Sequence, residues 1–301
     1  MARRKSNYTI DRGLSVRMFL TGAALLGLYL VIGAVLRAFG IGLFAIVLVE
    51  FGMLFAQYWF SDRIAMFSMG AQLVSESEEP ELHAMIDRLC QLANMPKPKV
   101  GVAPQDIPNA FATGRNPANA AVVVTRGIQR RLSDEELEAV LAHELSHVAH
   151  RDVAVMTIAS GVGLLAGLIS RMAMWGSFLS GDDRENQNAF IMELVVMLVS
   201  FVVYIVAYLL TLTLSRYREL SADRSGAILI GKPSALASAL IKISGDMATI
   251  PTNDLRKVEG MNAFFFTPAL AQGSVAALFS THPPLQKRLD QLARLEREMN
   301  A

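Results

Sequence analysis

The sequence predicts a mainly α membrane protein, with four transmembrane helices and a cytoplasmic α+β domain holding a small β-hairpin or sheet. Three observations predict it. Of the 301 residues 52% are hydrophobic and only 18% charged, and mean hydropathy is +0.36, whereas a soluble domain carries about 25% charge. Apolar runs recur at the length that crosses a hydrocarbon core of roughly 30 Å. The polar stretches between them keep the periodicities of ordinary helices and strands. The same composition excludes a disordered chain. With 28 basic against 27 acidic residues, the charge balance argues against a nucleic-acid binder. The single cysteine, Cys90, excludes an intrachain disulfide framework and a multi-cysteine metal site.

The first apolar run, residues 18–36, carries no charge. It is too long for a cleavable secretion signal, and a second run follows at once. That second run, residues 41–60, is broken only by Glu50 and Gln57. Glu50 sits mid-span, where a charge is costly, so it is protonated, paired in the bundle or turned to a cavity. Residues 153–170 are a weaker candidate, rich in small residues such as Gly161, Gly163 and Ala166 that let helices approach closely. A buried soluble hairpin is the other reading of this segment. The last run, residues 194–214, is again uncharged. Basic residues cluster before the first span (Arg3, Arg4, Lys5, Arg12, Arg17) and after the last (Arg216, Arg218, Arg224, Lys232). The positive-inside rule then places the N-terminus, residues 61–152 and residues 215–301 in the cytoplasm. The expected division is an N-terminal arm and hairpin (1–60), a first half-domain (61–152), a second hairpin (153–214) and a second half-domain (215–301).

Within the polar halves, residues 81–93 read as a helix with Leu82, Met85, Ile86, Leu89 and Leu92 on one face, and Cys90 as a small core residue. Residues 97–102 suit a short strand. Residues 110–113 and 120–125 flank Gly114-Arg115-Asn116-Pro117 and read as a hairpin. Ser133 with Glu136 three positions on is a capping box opening the next helix, which runs to about His150.

On that helix stands His143-Glu144-Leu145-Ser146-His147. A spacing of four puts both imidazoles on one face, where both can bind one zinc ion. Glu144 between them is placed to take a proton from a water at that ion. A zinc site needs a third protein ligand. Beyond the second hairpin, Glu219 and Asp223 are again four apart. One can be the ligand, and the other can accept the free N–H of a ligating histidine. His150 suits a role at the helix end.

Asn109-Ala110-Phe111-Ala112-Thr113-Gly114, the H-E-x-x-H helix, Arg216-Tyr217-Arg218-Glu219 with Ala222-Asp223, and Thr281-His282-Pro283-Pro284 before Arg288 together resemble one family. It is that of the HtpX-type integral-membrane zinc metalloproteases, gluzincins related to the CAAX prenyl proteases. The resemblance implies a zincin-like cytoplasmic protease domain and one Zn2+ per chain on His143, His147 and Glu219, with Asp223 behind them. It implies catalytic roles for Glu144, His282 and Arg288, the last two near the scissile carbonyl. It also implies that Asn109, Ala110 and Phe111 hold the extended substrate backbone. The implied activity is endoproteolysis of damaged or misassembled membrane proteins at the cytoplasmic face of the cell (plasma) membrane, in stress response and quality control. The implied partners are membrane-protein or unfolded polypeptide substrates, the lipid bilayer, and a second copy or other quality-control proteases. Processing of specific membrane or prenylated substrates is the alternative within the enzyme class. A transporter built on Glu50 would want more intramembrane polar groups than Glu50 and Gln57. An inactive scaffold would not need His143, Glu144, His147 and Glu219 intact.

Overall fold

The computed structural model describes residues 12–38, 43–179, 187–249 and 281–301. The N-terminal cations Arg3, Arg4 and Lys5 lie outside the described residues, as do the side chains of Glu50 and Gln57. The elements in chain order are α1 (Arg12–Ala38), α2 (Leu43–Trp59), α3 (Ser61–Ser68), β1 (Gln72–Leu73), α4 (Pro80–Ala93), β2 (Lys99–Ala103), β3 (Ala110–Thr113), a 3-10 turn (Pro117–Asn119), β4 (Ala121–Thr125), α5 (Arg126–Arg131), α6 (Asp134–His150), α7 (Asp152–Leu179), α8 (Gln187–Ile230), α9 (Pro233–Thr249) and α10 (Leu285–Asn300). They divide into two compact units. One holds Met1–Ser15, Tyr58–Ala154 and Ser215–Ala301, and the other Val16–Gln57 and Val155–Leu214.

The second unit is helical. Leu25, Ile32, Val162, Ala166, Val203 and Ala207 are buried among its helices. Tyr29 donates its hydroxyl to Ile158 O at 3.1 Å, and Thr211 donates to Ala159 O at 3.2 Å. Large apolar side chains such as Phe19, Phe44, Phe51 and Leu198 point outward, an arrangement stable in lipid and not in water. Among the described residues two segments, Ser15–Ala34 and Leu194–Ile230, are helical, long and apolar enough to cross a membrane. Of the expected second span, residues 43–60 are among the described residues. α2 ends at Trp59 because Phe60 leaves helical geometry (φ −101°, ψ 9°), and α3 starts afresh at Ser61.

The first unit is α+β. Its sheet has the order β1-β2-β4-β3, with β2 and β4 parallel and the outer pairs antiparallel. The hairpin read from the sequence is the β3/β4 pair, with Ala110 opposite Val124 and Thr113 opposite Ala121. Gly114 makes its turn possible. Its φ is +119°, and a Cβ there would lie 2.2 Å from Asn119 O. α4 follows Pro80 in its first turn and stops at Asn94, whose left-handed φ of 49° turns its N–H back onto Cys90 O and Gln91 O. The face of α4 differs from the expectation at one residue. Leu82, Ile86, Leu89, Cys90 and Ala93 are buried, but Leu92 is 46% exposed. Ala93 takes the inward position there, and Leu92 falls on the flank of the stripe. α6 is the central helix, packed against α4, α9 and the sheet, with Leu137, Val140, Leu141 and Leu145 in the core.

Candidate metal centre

The capping box fixes where α6 begins. Glu136 N–H donates to Ser133 Oγ, and Ser133 N–H donates to Glu136 Oε2 at 2.9 Å. From that start His143 and His147 fall one turn apart, with their Nε2 atoms 3.1 Å from each other. Helix α8 brings up Glu219, whose Oε1 lies 3.4 Å from His147 Nε2 and whose Oε2 lies 3.7 Å from His143 Nε2. The close approach of the two helices needs Gly226, where a Cβ would stand 2.8 Å from His143 N.

One potential ligand atom from each of His143, His147 and Glu219 lies within 4.8 Å of the other two. Ligands about 2.0–2.1 Å from a tetrahedral zinc ion stand about 3.3 Å apart; the two Nε2 atoms are 3.1 Å apart, and each is met by a different oxygen of Glu219, at 3.4 Å and 3.7 Å. Two imidazoles and a carboxylate are also a donor set that zinc takes. The residues present therefore fit the ion.

Each imidazole is steered by a carboxylate that an arginine holds in turn. His143 Nδ1 lies 2.9 Å from Asp223 Oδ1, and Arg288 donates to Asp223 through Nε (2.7 Å) and Nη2 (2.6 Å). His147 Nδ1 lies 2.5 Å from Asp152 Oδ2, which Arg218 Nη2 meets at 2.8 Å. Both Nδ1 atoms are thus committed behind, and both Nε2 atoms face the same point. The second relay was not read from the sequence. Its signal was Asp152, five residues past His147. Arg151 between them adopts a left-handed φ of 58°, ending α6 and folding the start of α7 back onto the histidine.

Glu144 is buried beside the two histidines, and burial pushes its carboxyl pKa up. Its Oε2 accepts the Ala112 N–H at 2.9 Å. His282 Nδ1 lies 2.9 Å from Glu219 Oε2. Arg288, expected near the scissile carbonyl, is only 1% exposed, and its Nε and Nη2 are engaged with Asp223. Its Nη1 comes no nearer to Glu219 Oε2 than 4.0 Å.

The strand expected to hold substrate, β3, is an edge strand of the sheet. Not all of its expected contact residues face that edge. Asn109 is 0% exposed, its N–H donates to Thr125 Oγ1 and its carbonyl accepts the Thr125 N–H. Strand alternation therefore turns the backbone groups of Asn109 and Phe111 toward β4, and those of Ala110 and Ala112 outward. The bond from Ala112 N–H to Glu144 agrees with this. A narrow pocket lined by Ala112, Thr113, Gly114, His147, Val148 and Asp152 opens beside the second histidine.

The chain is similar to known proteins over nearly all of its length. The model of peptidase family M48 matches residues 76–296. The "Protease HtpX homolog 1" of Streptomyces coelicolor is 51% identical over 98% of this chain and 97% of its own length. The "Protease HtpX homolog" of Moorella thermoacetica is 53% identical over 96% of both chains, and the "Protease HtpX homolog 2" of Methanosarcina mazei is 48% identical over 98% of this chain and 100% of its own. Among solved structures, that of S. mikatae Ste24p shares the fold. It has a TM-score of 0.54 at 15% identity, covering 95% of this chain and 68% of that one. The chain belongs to peptidase family M48 and is a membrane-associated metallopeptidase.

Proposed function

We propose that this protein is a zinc-dependent endopeptidase that crosses the membrane four times and cuts damaged or misassembled membrane proteins at the cytoplasmic face. The observation that carries the reading is the convergence of His143 Nε2, His147 Nε2 and a Glu219 oxygen within 4.8 Å. Those three side chains would hold one zinc ion. When bound, the ion supplies Lewis acidity and brings the pKa of a water toward neutrality. Asp223 and Asp152 hold the two imidazoles in one tautomer with Nε2 unprotonated. Glu144 receives the proton of the attacking water and delivers it to the leaving amine. An extended segment of substrate adds to the outer edge of β3 and pairs with Ala110 and Ala112. Ala112 N–H must then be shared between Glu144 and the peptide, which sets the base against the scissile bond. His282, beside Glu219, would stand near the reacting carbonyl. Arg288 acts through Asp223 as a positioning residue.

The test is metal content measured with proteolysis of an unfolded membrane protein in lipid vesicles. Wild type should contain one zinc per chain and cleave. Glu144→Gln should keep the zinc and lose activity by about 100-fold or more. Loss of zinc should follow His143→Ala, His147→Ala or Glu219→Ala. Full zinc in the Glu219 variant would move the third-ligand role elsewhere. Equal cleavage of natively folded and unfolded substrates would remove the quality-control reading and favour processing of chosen substrates.

A further inference from the structure

Helix α3 has two unlike sides. Ala65 and Met69 are buried on one of them, in a cluster with Ala103, Phe111 and Val123 of the sheet. Ile64 and Phe67 lie on the other and are 51% and 88% exposed, and Phe60, the cap residue whose carbonyl accepts the Ile64 N–H, is 42% exposed at the head of the same stripe. Trp59, also outward, carries the Arg115 guanidinium 4.2 Å above its ring, and Arg63 stands 5.8 Å over the ring of Phe60. An apolar stripe flanked by aromatic rings and cations is the make-up of a helix that lies in the plane of a membrane surface. Indole rings favour headgroup depth, and arginines reach up to the phosphates. α3 also begins two residues after the last residue of α2, so no linker separates it from an apolar helix.

We infer that α3, with Trp59 and Arg115, docks on the bilayer surface. Phe60, Ile64 and Phe67 enter the boundary of the acyl chains, and Arg63 and Arg115 meet anionic phosphate headgroups. The inference rests on the proposal that α2 lies in the bilayer. A protein partner could also cover an apolar stripe, but continuity with α2 puts lipid within one peptide of it. The docked surface is tied to the candidate substrate strand. Tyr58 donates its hydroxyl to Arg115 O at 2.5 Å, just beyond β3, and Phe111 of β3 packs on the inner side of α3. Lipid contact therefore fixes the height of the edge strand above the membrane.

The test uses the full chain in proteoliposomes of phosphatidylcholine and phosphatidylglycerol, in a Cys90→Ala background. An environment-sensitive fluorophore is placed at Phe67→Cys on α3, at Phe51→Cys on α2 and at Gln91→Cys on the exposed side of α4. The label at 67 should be blue-shifted, quenched by nitroxide lipids at shallow depth and resistant to aqueous iodide, whereas the label at 91 should show the reverse. Its blue shift should grow with phosphatidylglycerol content, and Arg63→Glu with Arg115→Glu should abolish that growth. Iodide access at 67 equal to that at 91 overturns the inference. If the label at 51 is then still quenched by deep nitroxide lipids, the placement of α2 survives. If it is not, both fall. Resistance at 67 to iodide and to lipid quencher alike means that protein covers the stripe, which also overturns it.

Discussion

At the scale of the residue, two parallel relays organise the site, His143–Asp223–Arg288 and His147–Asp152–Arg218. A buried carboxylate between an imidazole and a guanidinium stays ionised and pins the ring by its Nδ1. Asp152→Asn keeps the shape and removes the charge. We expect zinc affinity to fall by about 10–100-fold, read by competition with a chromogenic chelator, while Glu144→Gln leaves affinity unchanged. An Asp152→Asn protein with wild-type affinity would reduce that relay to packing. The H-E-x-x-H turn was legible because both histidines and the acid lie within one helical turn. The choice between Glu219 and Asp223 was not, since both share one helix face and only the fold decides which reaches Nε2. Arg218 was visible only as a basic residue near the end of a span. Its burial against Asp152 follows from the meeting of α8 with the end of α6, which no local pattern encodes.

At the scale of the element, α6 is fixed at both ends and along one side. Ser133 and Glu136 cap its start, and Glu136 also binds across to α9, accepting from Ser238 at 2.6 Å and Lys242 at 2.7 Å. Burial opposes ionisation of Glu136, but Lys242, Ser238 and the Ser133 N–H outweigh it and hold the carboxyl down to about 2. A depressed carboxylate pKa contributes stability that is complete above the ordinary value of 4.5 and is lost as pH falls toward 2. Glu136→Gln should therefore lower the unfolding midpoint at pH 7 and approach wild type on acidification, seen in detergent-solubilised melts. A gap independent of pH would assign the loss to the capping box alone. Along its side, α6 meets α8 at Gly226. Gly226→Ala should cost about 1–3 kcal/mol by overpacking and loosen zinc, because the displaced backbone is that of His143. Normal zinc binding with reduced thermal stability would show that α8 yields without moving Glu219. Strands and capped helices of this unit were readable from periodicity and turn residues. α3 was not. Ser61, Asp62 and Arg63 end the apolar run, and eight residues are too few to declare a helix by their own periodicity; what places α3 is the packing of Ala65 and Met69 on the sheet, which sequence spacing does not carry.

At the scale of the whole molecule, the site constrains topology. His143 and His147 precede residues 153–214, and Glu219 follows them, yet all three ligand atoms gather within 4.8 Å. A chain that leaves the site, enters a membrane and returns to the same site must cross it an even number of times. Among the described residues after 152, Leu194–Ile230 is the segment long and apolar enough to cross a membrane; on the proposed four-span reading its apolar part makes one crossing and α7 would make the other. The same parity applies to α1 and α2 if the N-terminus lies on the side of the site. The cations flanking these segments favour the cytoplasm for that side. Cysteines at Gln91 and Gln286, both exposed in the first unit and on opposite sides of the second hairpin in sequence, test this in a Cys90→Ala background. In intact cells neither should react with an impermeant maleimide, and both should react once the membrane is opened. Labelling of one alone is incompatible with a single site built from both halves. Labelling of both in intact cells keeps the site and reverses its side. Substrates would then be reached outside the cell, and the positive-inside argument would fail for this chain.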